Sequence, residues 1–179
     1  MTALAAPLAD ARPEALSFDE VYAQQVGFVW RVLRSLGVPP GQLEDAAQDV
    51  FVVVHRRLPE FEGRSALTTW LFAIVRKVAS KHRKRGPASP PVVPELVGHA
   101  DPFRDAARAE AAAQVAAILD RMDETKRLVF SLVELEHVSV AEVARMLGIN
   151  ANTAASRLRL ARGEFAAAVK RAKAQGDSP

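Results

Sequence analysis

The chain has 179 residues, of which 49% are hydrophobic and 6% aromatic, a length that suits one large domain or two small ones. It has no cysteine, which excludes a disulfide framework, a thiolate zinc site and a cysteine nucleophile. Lys and Arg number 24 against 21 Asp and Glu, so the placement of these charges is more informative than the net charge of +3.

Residues 1–16 are rich in Ala and Pro and short of large apolar side chains, which predicts a flexible N-terminal tail. No Lys or Arg precedes the short apolar stretch of this segment, so it is a poor match to a signal peptide. No apolar run in the sequence approaches the roughly 20 residues of a membrane span. We therefore expect a soluble, cytoplasmic protein with no membrane insertion.

The first helix is predicted to begin at Ser17, which can form a capping box with Glu20, and to end at Gly37. Between these residues the apolar side chains recur at helical spacing, which predicts that they face a hydrophobic core. They are Phe18, Val21, Tyr22, Val26, Val29, Trp30, Leu33 and Leu36.

The second helix is predicted over about residues 42–58, with an apolar stripe and an acidic opposite face. Asp45 and Asp49 lie four residues apart on that face, where like charges cost roughly 0.2–0.5 kcal/mol. Acidic residues early in a helix also favour its dipole. The face is therefore either a solvated surface or a docking surface for a basic or polar partner. The apolar stripe consists of Leu43, Ala46, Ala47, Val50, Phe51, Val54 and Leu58.

A loop at residues 59–67, with Gly63 as its flexible point, is predicted to lead into a third helix over about 68–85. The inner face of that helix is assigned to Leu67, Trp70, Leu71, Ile74, Val75 and Val78. Its C-terminal half crowds together the cations Arg76, Lys77, Lys81, Arg83, Lys84 and Arg85, with His82 among them. Cations favour the end of a helix dipole, but so many repel one another unless an anion lies nearby. The nucleic-acid backbone is the commonest such anion, which predicts nucleic-acid contact here.

Five prolines between residues 86 and 102 separate this half of the chain from the next. Proline fixes φ and lacks an N–H, so no helix or central strand is expected to run through the segment. Asp101 and Pro102 then form a suitable start for a new helix. The predicted organisation is a tail at 1–16, a helical domain at 17–86, a linker at 87–104, a helical domain at 105–173 and a tail at 174–179.

The second domain is predicted to contain four helices, the last two of which form a helix-turn-helix. The first of the four runs to about Met122, and Asp123 caps the next. The packed side of the first helix is assigned to Ala106, Ala109, Ala113, Ala117 and Leu119. The apolar residues of the next are Leu128, Val129, Leu132, Val133 and Leu135.

The helix-turn-helix pattern lies at residues 139–165. Ser139 starts a second capping-box signature, and Gly148 ends the helix because glycine tolerates the left-handed conformation of a sharp turn. Asn150 or Asn152 can cap the long basic helix that follows. In this motif the second helix enters the major groove of DNA; the alternative is an ordinary helical hairpin with a solvated basic face. The inner stripe of the second helix is Ala154, Leu158 and Ala161.

Sequence motifs of catalysis are missing from the chain. The four histidines lie far apart, and there is no G-x-S-x-G, no phosphate-binding glycine loop and no H-E-x-x-H. The acidic cluster on the second helix has no second ligand cluster to complete a site for a hard cation. We therefore expect no enzymatic activity, no cofactor and no bound metal.

Three stretches together resemble the extracytoplasmic-function (ECF) subfamily of the sigma-70 factors of bacterial RNA polymerase. The stretch 45–61 resembles the family's acidic helix, with its Asp, Gln-Asp pair and Phe. The stretch 61–85 resembles the loop and the helix that opens with Trp-Leu, and 138–162 resembles the C-terminal helix-turn-helix. Each match is weak alone, but their order and spacing are specific to the family. The resemblance implies an all-α protein of two small domains that promotes transcription initiation.

The resemblance also implies a role for each set of residues. Docking on the clamp helices of the polymerase's largest subunit is implied for Asp45, Gln48, Asp49 and Phe51. Capture of an unstacked base of the −10 element is implied for the loop residues Phe61, Glu62, Gly63, Arg64 and Ser65. Contact with the −10 region is implied for Arg76, Lys77, Lys81, Arg83 and Lys84. Reading of the −35 element is implied for Asn152, Thr153, Ser156, Arg157 and Arg159, with Arg162 on phosphate.

Three residues depart from the family pattern. Lys77 stands where the family often has Asn, and Lys81 where it has an acidic residue, so the −10 helix here carries additional positive charge. Ala155 replaces a common Lys or Arg of the recognition helix. Since a good bidentate pair gives roughly 1–3 kcal/mol of discrimination between bases, the −35 consensus of the family cannot be transferred.

The expected partners are core RNA polymerase, promoter DNA and an anti-sigma factor, which usually holds members of this family inactive. Two other functions are compatible with the sequence. An operator-binding regulator would bind specific DNA without polymerase, and would be expected to dimerise. A helical interaction module with a vestigial helix-turn-helix would bind a protein partner without DNA, although the basic run at 81–85 argues against it.

Overall fold

The computed structural model describes residues 16–84 and 102–176, with side chains for 16–84 and 110–174. The predicted N-terminal tail, almost all of the linker, the proposed cap Asp101 and the last three residues lie outside the described residues. The chain divides into two units, Met1–Pro91 and Val92–Pro179. The described parts of both units are helical and contain no strand, which confirms the predicted all-α class.

Three helices form the described part of the first unit, and each packs against the other two. They are α1 (Phe18–Ser35), α2 (Leu43–Arg57) and α3 (Leu67–Arg83). Short 3-10 turns at Pro40–Gln42 and Leu58–Glu60 flank α2. The lengths agree with the predicted helices to within about two residues, because apolar periodicity and helix-ending residues fix them.

The predicted capping box starts α1. The Ser17 hydroxyl accepts a hydrogen bond from the Glu20 N–H at 3.2 Å, and the Glu20 carboxylate accepts from the Ser17 N–H at 3.1 Å. The Ser17 N–H and, at 2.9 Å, the Ser17 hydroxyl both donate to the Glu20 carboxylate, and these two bonds lower the pKa of Glu20. Gly37 follows the helix with φ +76°, a conformation that favours glycine and turns the chain toward α2.

The core of the first unit differs from the predicted one in its aromatic residues. Phe72 is only 2% exposed but was not among the predicted inner residues of α3. Its neighbour Trp70, predicted to lie in the core, is half-buried, and Tyr22 is 46% exposed. His82, predicted as part of a basic surface run, is 2% exposed. Because α3 contacts both α1 and α2, its buried face is wider than a single stripe of residues. That wider face includes Phe72 and His82.

Between residues 102 and 176, the second unit contains four helices. They are α4 (Pro102–Asp120), α5 (Glu124–Phe130), α6 (Val140–Leu147) and α7 (Ala151–Gly176), and α5 continues as a π-helical segment, Ser131–Leu135. Asp123 caps α5 as predicted, accepting from the N–H groups of Thr125 and Lys126 at 3.0 and 3.4 Å. The helix α7 continues to Gly176, three residues beyond the predicted end of the domain.

The core of the second unit corrects the predicted packing of α4. Ala113 and Ala117 are exposed. Leu119 is buried as predicted, and the side chains of Ala106 and Ala109 lie outside the described residues. The core around Leu119 contains Met122, Phe130 and Ala161, and Val115, Ile118, Leu135 and Phe165 pack against it. The rings of Phe130 and Phe165 stack with centroids 4.9 Å apart. An alanine-rich helix offers small residues on every side, so its larger side chains decide which side packs.

An open groove of about 480 Å³ runs between α4 and the C-terminal half of α7. Both walls carry polar and apolar groups. They include Gln114 and Ile118 from α4, Arg121 directly after it, and Glu164, Ala168 and Arg171 from α7.

Replacing Phe72 by Ala should destabilise the first unit by about 3–5 kcal/mol, because the substitution leaves a cavity in the core. Trp70→Ala should cost clearly less, since only part of the indole is buried. Urea unfolding followed by the fluorescence of Trp30, which both variants retain, measures the two free energies. A larger loss for Trp70→Ala than for Phe72→Ala would contradict this assignment of the core.

Candidate nucleic-acid interface

The acidic face of α2 presents a row of side chains on the side opposite the core. Asp45 and Gln48 are exposed. Val52, seven residues after Asp45, is 43% exposed and extends the same row. Sequence reasoning missed Val52 because it lies in an apolar run, but the spacing 45–48–52 along one helix face is a signal that identifies it.

Phe51, also predicted to contribute to docking, is buried and does not belong to this exposed row. It is 6% exposed, with its ring 4.6 Å from that of Tyr22 and 6.4 Å from that of Phe18. The residue therefore holds α2 against α1, and its burial leaves no ring surface for a partner.

Asp49 lies at the edge of the acidic face and joins α2 to α3. Its Oδ2 accepts from the Lys81 ammonium at 3.1 Å and lies 2.9 Å from Nε2 of the buried His82. An ionised carboxylate can only accept, so Nε2 carries the ring proton in this contact. The hydrogen bond from His82, followed by that from Lys81, lowers the pKa of Asp49.

The cations of α3 fall into two groups. Arg76, Lys77 and Lys84 are exposed and have no ion-pair or hydrogen-bond partner within the parts of the chain that the structure describes. Lys81 is paired with Asp49, and Nη1 of Arg83 donates to the carbonyl oxygen of Leu36 at 2.9 Å. The exposed, unpaired cations are therefore fewer than the sequence predicts. Among the described residues they are Arg76, Lys77 and Lys84.

The loop between α2 and α3 is partly fixed by an aromatic contact. Phe61 is 7% exposed and its ring centroid lies 5.1 Å from that of Trp70, so it supports the loop and has no exposed face for a base. Glu62 and Arg64 form an exposed ion pair. Gly63, with φ +67°, and Ser65 are also exposed.

The helix-turn-helix has the predicted local geometry. Ser139 caps α6 by accepting from the Glu142 N–H at 3.2 Å, and Gly148 adopts the left-handed conformation with φ +67°. The second cap is Asn150: its Oδ1 accepts from the Asn152 N–H at 2.8 Å. The predicted inner stripe of α7 is buried, at 0% for Ala154, 4% for Leu158 and 0% for Ala161.

The residues of α7 that were predicted to read the −35 element differ in their exposure. Asn152, Thr153, Ser156 and Arg159 are exposed, whereas Arg157 is half-buried. Leu160, which sequence reasoning did not name, is 48% exposed close to them.

Two ion pairs fix the rotation of α7. Arg162, predicted to contact phosphate, instead donates from Nε and Nη2 to Oε1 of Glu134 at 2.9 and 2.7 Å. Lys126 pairs with Glu164 at 2.5 Å, which raises the pKa of Lys126. Together with the buried stripe, these pairs tie α7 to α5 and to the π-helical segment, so the reading side is set by the fold itself.

None of the helices in residues 16–84 and 102–176 is long and apolar enough to cross a membrane. The same residues contain no group of three or more histidines and carboxylates placed to hold a metal ion.

The charge of Asp49 should make the stability of the first unit pH-dependent. Its pKa is lower in the folded state than in the unfolded chain, so its contribution is complete above about pH 4 and is lost as pH falls through the lowered value. Asp49→Asn should therefore be less stable than the wild type above about pH 4, and the two should converge in more acidic solution. Because the carboxylate is 40% exposed, solvent screening should keep the difference within about 1 kcal/mol.

Urea unfolding across this pH range measures the effect. Asp45→Asn is the matched control, since Asp45 has no ion-pair partner among the described residues and its variant should follow the wild type. A deficit in Asp49→Asn that stays constant as the pH falls would contradict an ionic role for Asp49.

Comparison with known proteins identifies the family. Residues 21–86 match Sigma-70 region 2, and residues 112–164 match Sigma-70, region 4. The chain is 30% identical over 151 residues to the ECF RNA polymerase sigma factor SigM of Mycobacterium tuberculosis, covering 84% of this chain and 76% of that protein. It is 26% identical over 163 residues to the RNA polymerase sigma factor CnrH of Cupriavidus metallidurans, covering 84% and 85% of the two chains.

Solved structures show the same fold. The structure of CnrH in complex with the cytosolic domain of CnrY is 25% identical, with a TM-score of 0.61 over 90% of this chain and 89% of that one. The sigma factor RpoE of Bartonella quintana, solved in complex with the anti-sigma factor NepR, is 22% identical, with a TM-score of 0.64 over 86% and 96%. The chain belongs to the extracytoplasmic-function subfamily of the sigma-70 RNA polymerase sigma factors.

Proposed function

We propose that this sigma factor brings core RNA polymerase to promoters by placing its first unit on the −10 element and its second unit on the −35 element. One observation carries the proposal: sequences matching region 2 and region 4 occur in one chain, in that order. The protein performs no chemistry itself. It acts by binding, in the cytoplasm, where the polymerase works.

Docking on the polymerase is assigned to the exposed row of α2. Asp45 and Gln48 supply an acidic and a polar group, and Val52 supplies apolar surface beside them. Protein interfaces commonly combine an apolar centre with polar groups around it. From the resemblance to the family, we expect the clamp helices of the polymerase's largest subunit to bind against this row. Asp49 serves mainly to hold α3, since its Oδ2 is already bonded to that helix.

Binding of the −10 element is assigned to the loop after α2 and to the free cations of α3. The loop residues 62–65 are exposed, and the half-buried Trp70 beside them offers an aromatic surface on which an unstacked base can stack. Arg76, Lys77 and Lys84 are available for phosphate because no described residue neutralises them. Lys81 and Arg83 are assigned to the structure of the unit and not to DNA.

Reading of the −35 element is assigned to the outward side of α7. Exposed amide, hydroxyl and guanidinium groups suit hydrogen bonding to base edges in the major groove. They come from Asn152, Thr153, Ser156 and Arg159. The half-buried Arg157 lies beside them, and Arg162 remains with Glu134.

Control by an anti-sigma factor is inferred from the family resemblance. Two structurally similar sigma factors were solved in complexes, CnrH with the cytosolic domain of CnrY and RpoE with the anti-sigma factor NepR. A corresponding partner of this chain would cover its polymerase-binding or DNA-binding surfaces, and would co-purify with the inactive protein.

Run-off transcription with purified core polymerase, this protein and a library of promoter fragments tests the function. Transcripts that depend on the protein, with start sites sharing two upstream motifs, are expected. Strong specific DNA binding by the protein alone, without transcripts, would instead indicate an operator-binding regulator. Neither transcripts nor DNA binding, in a preparation free of a co-purifying partner, would indicate an interaction module.

Asp45→Arg should weaken binding to core polymerase by at least about tenfold, because like charges at an interface are strongly unfavourable. Glu44→Arg is the matched control: it makes the same change of charge one residue earlier, on a different side of α2. Fluorescence titration of labelled protein with core polymerase measures both affinities. Equal losses in the two variants would show that net charge, and not the row of α2, determines docking.

Arg76→Ala should lower holoenzyme affinity for promoter DNA and reduce the salt dependence of log affinity by about 1, the effect of one lost phosphate contact. Arg83→Ala should leave the salt dependence unchanged and destabilise the first unit by about 1 kcal/mol, since it removes the hydrogen bond to Leu36. Binding titrations at several salt concentrations, together with urea unfolding, distinguish the two arginines. A reduced salt slope in Arg83→Ala would contradict its structural assignment.

A further inference from the structure

Leu160 is a large apolar side chain that the fold does not bury. It is 48% exposed on α7, a larger exposed fraction than that of Tyr22 or Val52 in the first unit. Tyr22 is partly covered by its contact with Phe51. Leu160 lies within the first ten residues of α7, in the part of the helix that a helix-turn-helix presents to DNA.

The position of Leu160 around the helix places it on the reading side. Successive residues of an α-helix are rotated by about 100°, and the buried Ala154, Leu158 and Ala161 mark the inner side. By that rotation Leu160 points away from the core. Ser156 lies one turn before it on the same side and is exposed.

Gly163 gives a second, independent indication that something approaches this side closely. It is an exposed glycine inside a helix, where glycine is less favourable than alanine. A Cβ added at this position would meet nothing within 4 Å, and its backbone has no positive φ. The described structure therefore gives no internal reason for glycine here. Glycine does permit another molecule to approach the backbone closely, and Gly163 lies three residues after Leu160, on the same side.

The charges around Leu160 indicate what kind of molecule binds there. Residues 151–163 contain no Asp or Glu and include Arg157 and Arg159, besides Arg162, which is paired with Glu134. Glu164, which follows them, is paired with Lys126. A basic side of this kind fits a polyanion, and the DNA major groove displays one apolar group among its base edges, the C5-methyl of thymine.

We propose that Leu160 contacts the C5-methyl group of a thymine in the −35 element, and that Gly163 allows the helix to lie close to the DNA at that point. The inference rests on the proposed function, since it requires that α7 read the −35 element. It makes Leu160 a specificity-determining residue and adds an apolar contact to the polar groups of Asn152, Ser156 and Arg159.

Replacing single thymines of the −35 element by deoxyuridine tests this contact, because the exchange removes the methyl group and keeps the hydrogen-bonding pattern. Open-complex formation is measured with holoenzyme containing the wild type, Leu160→Ala or Leu160→Gln. We expect one thymine position at which the exchange lowers wild-type affinity by about threefold to fivefold, the effect of one buried methyl group. Both variants should show a similar loss with thymine and no further loss with deoxyuridine.

Arg159→Ala is the control: it should lose affinity yet remain sensitive to the exchange at that position. Equal sensitivity of Leu160→Ala and the wild type at every thymine would overturn the inference, as would wild-type activity of Leu160→Ala. If that active variant lost binding to a protein partner, Leu160 would belong to a protein interface. A wild type whose activity does not depend on the −35 sequence would instead overturn the proposed function itself.

Discussion

The arrangement of the first unit depends on one carboxylate at the junction of two helices. Asp49 on α2 accepts from the buried His82 and from Lys81, both near the end of α3. A buried imidazole N–H without an acceptor would be costly, so this contact fixes how the two helices meet. It also withdraws one cation from the basic end of α3. The charge that remains available to a polyanion is therefore decided by contacts within the protein.

The same kind of selection operates on α7. Three arginines lie in its N-terminal half, but Arg162 is paired with Glu134, and Arg157 is half-buried beside the inner stripe. A basic sequence is thus divided into cations that support the fold and cations that face outward. Because the positive and negative charges of this small protein nearly balance, the local charge of each surface depends more on which cations face outward than on the net charge of the chain.

The helices and their ends could be predicted from the sequence because they depend on local chemistry. The Ser17 capping box, the Gly148 turn and the inner stripe of α7 all follow from residues within one or two turns. Contacts between distant residues could not be predicted in this way. Asp49 and His82 are 33 residues apart, and no local sequence pattern predicts that a histidine in a basic run is buried.

The residues of the candidate site could likewise be predicted only where local spacing determines their exposure. Exposed polar positions on α2 and α7 followed from helical spacing, whereas the aromatic residues Phe51 and Phe61 were assigned to binding although both are buried. A motif shows that an aromatic residue is required at a position, but not whether it touches the ligand or supports the residues that do. Only the packing distinguishes these two roles.

The length of α7 couples two distant parts of the second unit mechanically. Its 26 residues extend for about 39 Å, so one helix carries Asn152 near its start and Arg171, which lines the groove beside α4, near its end. The buried Ala154, Leu158 and Ala161 anchor the helix between these two regions. Because a continuous helix resists bending, a contact made at either region acts on one rigid element.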